Sequence, residues 1–265
     1  MKKAIIFIIA VSFFACCKKK NETPATVTPT NNSAVNTSLQ NGLGNNASNL
    51  HGVLQVEKME IPAFSFVAYE SRAAFNSAAR SYSYYYMLGS IFATTGVNAG
   101  TLKLNTTTLM YDVSTPNQIN RYKDTLSARN YSAGATWDLT ANNSFSSFST
   151  TIARGFPIIS SLNYLPNTIS KSVGFTINFG INNYSNTDSI IVLLQGGPGT
   201  TSSPFKHLSG SATSVTYTSA ELNTISTGSG EIIVYGINYS NITINSKNYL
   251  YIMQYDVINT ITINP

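Results

Sequence analysis

In Ser172-Val173-Gly174-Phe175-Thr176-Ile177-Asn178-Phe179-Gly180, apolar and polar side chains alternate. Val173, Phe175, Ile177 and Phe179 point one way, and Ser172, Thr176 and Asn178 point the other. A period of two belongs to an extended chain with one face in a core and one in water. Downstream, Ser189 to Gln195 has an unbroken apolar centre and predicts a central strand. Gly196-Gly197-Pro198-Gly199 reads as a turn, and Thr213 to Thr218 as a further strand. Thr218-Ser219-Ala220-Glu221 has capping-box spacing, so a helix of one or two turns should follow, using Leu222 and Ile225 and stopping at Gly228. Ile233, Tyr235, Ile237 and Tyr239 share a face of the next strand, and Ile242–Ile244, Tyr249–Tyr255 and Val257–Ile263 complete the set.

About seven short strands with regular turn signals resemble an antiparallel Greek-key sandwich, immunoglobulin-like in architecture. The Cys…Trp…Cys pattern of true immunoglobulin domains is missing. The expected domain covers residues 157–265, with its boundary at Arg154-Gly155-Phe156-Pro157. Residues 51–156 predict an N-terminal β domain. Val53–Ile61, stopped by Pro62, and Phe64–Tyr69 are its first strands. Ser71 to Arg80 is Ala-rich and predicts a short helix with Ser71 as its cap. Tyr82–Phe92, Thr101–Asn105, Leu109–Val113, Tyr131–Thr140 and Phe145–Ile152 are further strands. The whole is mostly β, with little helix.

Residues 17–50 are rich in Pro, Thr, Asn, Ser and Gly and lack the apolar side chains to build a core. They read as a disordered tether with an r.m.s. span of roughly 30 Å. Residues 1–16 read as a leader. Lys2 and Lys3 precede a run of 12 residues, Ala4 to Ala15, apolar except for Ser12. Such a helix reaches about 18 Å, short of the roughly 30 Å of a bilayer core. The run is therefore a secretory signal rather than a membrane span. It ends Phe13-Phe14-Ala15-Cys16-Cys17-Lys18-Lys19-Lys20.

That ending resembles a bacterial lipoprotein signal, in which the cysteine after cleavage is diacylated. Ala15 favours Cys16 as the modified residue, and the lysines directly after favour Cys17, as in lipoproteins of the Bacteroidota type; Cys16 is preferred. Phe13 and Phe14 are bulkier than the strict motif has. The resemblance implies an outer-membrane lipoprotein held by its lipid anchor. Family members on the cell surface tend to carry acids after the cysteine, so the three lysines favour the periplasmic face.

The formal charge of +5 is misleading about partners. Lys2, Lys3, Lys18, Lys19 and Lys20 supply five of the 16 basic residues, leaving 11 basic against 11 acidic from Asn21 onward. No basic patch remains for nucleic acid. Cys16 and Cys17 are the only cysteines, so the body has no disulfide framework or thiolate metal site. His51 and His207 have no second histidine at ligand spacing and predict exposed loop residues, with no metal or other cofactor. Gly228-Ser229-Gly230 is too short for a nucleophile elbow, and Gly196–Gly199 lacks the ending of a phosphate loop.

A glycoside hydrolase needs two carboxyls. Glu57 with Glu60, or Asp138 beside Trp137, are the pairs available, but Glu57 and Glu60 should face opposite sides of a strand. No catalytic residue is assigned. Tyr82, Tyr84 and Tyr86 would share one strand face and, with Trp137, are the residues that could stack on sugars. Packing between sheets is the competing role for these rings, and for Tyr249, Tyr251 and Tyr255. Asp124-Thr125-Leu126 and Asp188-Ser189-Ile190 resemble the O-glycosylation acceptor of Bacteroidota envelope proteins, at Thr125 and Ser189. The expected role is non-enzymatic: a lipid-anchored envelope protein that binds another envelope protein or serves structurally. Carbohydrate binding in a glycan-uptake system is the alternative, and a glycoside hydrolase the more remote one.

Overall fold

Tyr, Thr, Ile and Val suit a pleated, half-buried surface, and the chain they fill is mostly β. The fold is that of a computed structural model, which describes residues 50–80, 83–85, 90–92, 97–114, 119–125, 131, 134–142, 145–159, 165–179, 184–185 and 187–265. Residues 1–49, the stretch read above as leader and tether up to Leu50, lie outside these residues.

Chain order runs β1 (Leu50–Ile61), a 3-10 turn (Pro62–Phe64), β2 (Phe66–Arg80), β3 (Ser83–Tyr85), β4 (Ser90–Phe92), β5 (Gly100–Leu104), β6 (Thr107–Thr108), β7 (Met110–Ser114), β8 (Ile119–Thr125), β9 (Ala135–Ala141) and β10 (Phe148–Ile152). It continues with β11 (Ile158–Ile159), β12 (Thr168–Ser170), β13 (Phe175–Asn178), β14 (Tyr184–Ser185), β15 (Ser189–Gly196), β16 (Phe205–Ser209), β17 (Ser214–Tyr217), α1 (Ser219–Leu222), β18 (Gly228–Ile244) and β19 (Lys247–Asn264).

Among the described residues, nine strands form the main sheet, in the order β16-β15-β18-β19-β1-β2-β8-β7 with β12 beside β19. Its pairs are antiparallel except at β19, which β1 and β12 both join in parallel. Long strands β18 and β19 pair from Gly228↔Ile263 to Ile244↔Lys247. Asn245 and Ser246 close that hairpin, both at positive φ (49° and 61°). A two-residue loop with φ above zero at both positions matches the natural twist of the strands.

Two smaller layers cover one face of this sheet. The sheet β10-β9-β5-β6 packs Leu102, Leu104, Ala135, Trp137, Leu139 and Ile152 against Leu54, Val56, Phe75, Tyr249, Tyr251 and Met253. The pair β13–β17 and α1 pack Ile177, Val215, Tyr217 and Leu222 against Ile190, Val192, Ile232, Val234 and Val257. The architecture is sandwich-like. α1 opens with the expected capping box: Thr218 Oγ1 accepts from Glu221 N–H at 3.3 Å, and Glu221 Oε2 accepts from Thr218 N–H at 2.9 Å. Leu222 and Ile225 are both buried.

Several expectations are corrected. Residues 71–80 form no helix but the second half of β2. Strand β1 lies on one side of this segment, with Val53 opposite Ala74, and β8 on the other, with Tyr122 opposite Ala73. Ladder bonds to neighbouring strands outweigh the weak helix preference of four alanines. Tyr82–Phe92 is not one strand, because Ser83 pairs with Phe92 and Tyr85 with Ser90, so the chain reverses between β3 and β4. Val173 leaves the alternating face of its stretch and is 82 % exposed in the turn before β13. The expected short strands from Glu231 to Ile263 are the two long ones, β18 and β19. The main sheet takes β1, β2, β7 and β8 from residues 51–156 and the rest from 157–265, so it crosses the division expected at residue 156.

Leu54, fully enclosed on β1, touches the core beneath the seam between the two halves. Leu54→Ala should cost about 2–5 kcal/mol. Trp137 fluorescence and far-UV circular dichroism should still report one shared, lowered midpoint on denaturant unfolding. Separate midpoints would mean that the two halves unfold independently.

Candidate functional site

The second face of the main sheet carries an apolar cluster whose members, including Val53, Ala74, Ile191, Tyr235 and Ile252, all come from the sheet itself. Polar residues interrupt it. Gln55 and Glu57 share the face of Val53, Arg72 that of Ala74, and Gln254 and Asp256 that of Ile252, because residues two apart on a strand point the same way. The parallel register sets Glu57 opposite Gln254 and Met59 opposite Asp256, which makes Glu57 and Asp256 diagonal neighbours. Gln55, Glu57, Gln254 and Asp256 are all buried.

Arg72 is the cation of the group. Its Nε and Nη2 donate to the two oxygens of Glu70 at 2.7 and 2.5 Å, and Nη1 lies 3.0 Å from Glu57 Oε2. Burial works against the guanidinium charge, but Glu57, Glu70 and Asp256 outweigh it and hold Arg72 above its ordinary value. Gln254 links the row, accepting from Gln55 Nε2 at 3.3 Å and donating to Asp256 Oδ2 at 2.9 Å. Burial first, then the charge of Glu57 and a hydrogen bond with it, push the Asp256 carboxyl well above the usual range, against the pull of Gln254 and Arg72. Tyr235, opposite Asp256 on β18, is raised by burial and then by Asp256, Glu57 and Glu231. The cluster can hold a proton and a charge inside the sheet.

The structure disperses the residues expected to form sites. Glu57 and Glu60 lie on opposite faces: Glu60 accepts from Tyr255 Oη, and Lys58 Nζ sits 3.9 Å from the centre of the Tyr255 ring. Trp137 is 0 % exposed, its indole N–H without an acceptor among the described residues, so it cannot stack on a sugar from solvent. Tyr249, Tyr251 and Tyr255 are likewise core residues. Of the proposed row, Tyr82 and Tyr86 lie outside the described residues, and Tyr84 pairs through its backbone with Ile91. Cys16 and Cys17 also lie outside them.

Ser189 is 5 % exposed at the start of β15, which closes it to a glycosyltransferase in the folded protein. Asp188 before it is bound by Arg154 Nη2 at 2.6 Å and by Tyr239 N–H at 2.9 Å. Thr125 ends β8, opposite Glu70. Both histidines lie in strands, β1 and β16, rather than loops. Burial lowers each, and Lys247 adds to the effect at His51. Among the described residues no three His, Cys, Asp or Glu side chains gather as metal ligands.

Sequence reasoning missed the Glu57–Asp256 pair because the two acids are far apart in the chain. One signal was present: Gln55, Glu57, Gln254 and Asp256 occupy alternation positions otherwise filled by Val53, Leu250 and Ile252. A scan against protein-family models finds no match for the chain, and neither does a search of curated proteins.

Arg72→Met removes the only cation within reach among the described groups while leaving Glu57 buried. It should destabilise the protein by about 3–5 kcal/mol, measured by denaturant unfolding at neutral pH. A loss below about 1 kcal/mol, the range of a surface ion pair, would show that Arg72 acts as one.

Proposed function

We propose that this protein is a lipid-anchored envelope lipoprotein of the Bacteroidota type. Its β body would serve a non-enzymatic role, contacting another envelope component or reinforcing the envelope. The observation that carries the reading is the leader. A positive start, an apolar run too short to span a bilayer and paired cysteines at its end are followed by a polar segment without core-forming residues. Two or more acyl chains give lasting attachment, since each buried CH₂ contributes about 0.8 kcal/mol. The lysines after the cysteines favour the periplasmic face of the outer membrane.

The body supports a binding or structural role over the alternatives. The buried acids are tied to Arg72 and Gln254 within one sheet, whereas glycoside hydrolysis needs two carboxyls flanking a substrate. Trp137, Tyr249, Tyr251 and Tyr255 fill the core, which removes them as sugar-stacking platforms.

Cells expressing the full chain and fed an alkyne-tagged fatty acid should label the protein. Cys16→Ser or Cys17→Ser, whichever removes the acylated residue, should abolish that label and release the protein from the membrane fraction. Unlabelled wild-type protein in the soluble fraction would overturn the anchor. Labelled protein shed by protease from intact cells would place it on the outer surface instead.

A further inference from the structure

We infer that Glu57 and Asp256 form a proton lock on the parallel seam of the main sheet: one proton held between two enclosed carboxyls keeps β1 on β19, and its loss loosens that seam. The geometry carries the argument. The two acids stand on adjacent strands, on one face and in diagonal register. They are 4 % and 2 % exposed, so neither carboxyl can turn to water while the sheet is intact. Among the described residues, the enclosed Asp256 Oδ1 accepts no hydrogen bond from an N–H or O–H group. Carboxylates only accept, so a bond between the two acids requires a proton on one of them.

Among the described residues, the charged and polar groups around the pair come from four strands. From β1 come Gln55 and Glu57; from β2, Glu70 and Arg72; from β18, Tyr235 and, further along, Glu231; from β19, Gln254. Arg72 hydrogen-bonds Glu70 and pairs with Glu57, and its charge favours an ionised Asp256 less than burial and Glu57 oppose it. Gln254 gives Asp256 Oδ2 a neutral amide donor, and no described N–H or O–H group donates to Asp256 Oδ1. An ionised Asp256 would therefore be a buried charge beside a second carboxylate, the arrangement that like charges at close range oppose. Protonated, Asp256 donates to Glu57, and both acids are satisfied.

The sign of the pH dependence follows. The folded protein holds this proton more tightly than the unfolded chain, where an aspartic acid titrates near about 3.9. The stability it contributes is complete below that value and is lost as pH rises through the raised folded value. An ordinary salt-bridged carboxylate does the opposite. The seam should thus hold firm in acid and loosen in alkali.

The test is thermal unfolding of the full-length protein in detergent micelles, from mildly acidic to mildly alkaline pH, for wild type and Asp256→Asn. Asparagine keeps the shape and can still donate to Glu57 but has no proton to lose. Wild type should show a midpoint falling by several degrees toward alkaline pH, and Asp256→Asn a markedly flatter profile. An infrared band from a protonated carboxyl should persist at neutral pH in wild type and be missing in the variant. Parallel pH profiles, or no such band, would overturn the lock. Should Asp256→Asn fail to fold, Glu57→Gln provides the same comparison, since its amide can donate to an ionised Asp256, and its profile must flatten too.

Discussion

Pairing of β1 with β19 is the contact on which the other layers depend. The first described strand meets the last in parallel, over Gly52↔Tyr249 to Glu60↔Val257. Parallel neighbours cannot be joined by a tight turn, so a long crossover must separate them; here nearly the whole body fills it. β1 carries β2, β8 and β7 outward on one side, and β19 carries β18, β15 and β16 on the other. Without the seam these would be two sheets with open edges. With it, one surface supports both smaller layers, and Leu54, Val56, Tyr251 and Met253 lie together at its centre.

The seam is also where the protein places its buried polar groups. Enclosed charges are costly unless paired, and apolar residues in these positions would pack with less risk. What Gln55, Glu57, Gln254 and Asp256 add is register. A slip of one residue would turn the acids into the aromatic core on the opposite face and separate Arg72 from its partners. A polar row that is satisfied in one alignment only selects that alignment, whereas apolar side chains would tolerate several. Arg154 plays a smaller part of the same kind, tying the segment after β10 to the Tyr239 carbonyl at 2.6 Å and to Asp188.

Much of the fold was legible where the physics is local. The alternation at Phe175, Ile177 and Phe179, the continuous run at Ile190–Leu194 and the Thr218–Glu221 capping box all appear as read. Each depends on residues within a few positions of one another. The failures share a different cause. Ser71–Arg80 is a strand because β1 and β8 flank it, and Val173 is in a turn despite its parity. Tyr82–Phe92 is not one strand, because Ser83 pairs with Phe92 and Tyr85 with Ser90. In each case a partner distant in the chain, or a turn, overrode the local pattern. The acid pair of the site was hidden for the same reason: no spacing rule connects Glu57 to Asp256.

By itself, the sequence determined the class of structure and the segments that could belong to it. Side-chain periodicity decides whether a chain can bury one face, and composition decides whether it has anything to bury. It also contained the charged and apolar first stretch and its cysteines, on which the proposed anchor rests without any fold. Only the tertiary structure decided that the two halves share one sheet, that Trp137 and Ser189 are enclosed, and that two remote acids meet beside one arginine. Those facts depend on strand order and register, which arise from the simultaneous burial of many distant side chains and are written in no single stretch of the chain.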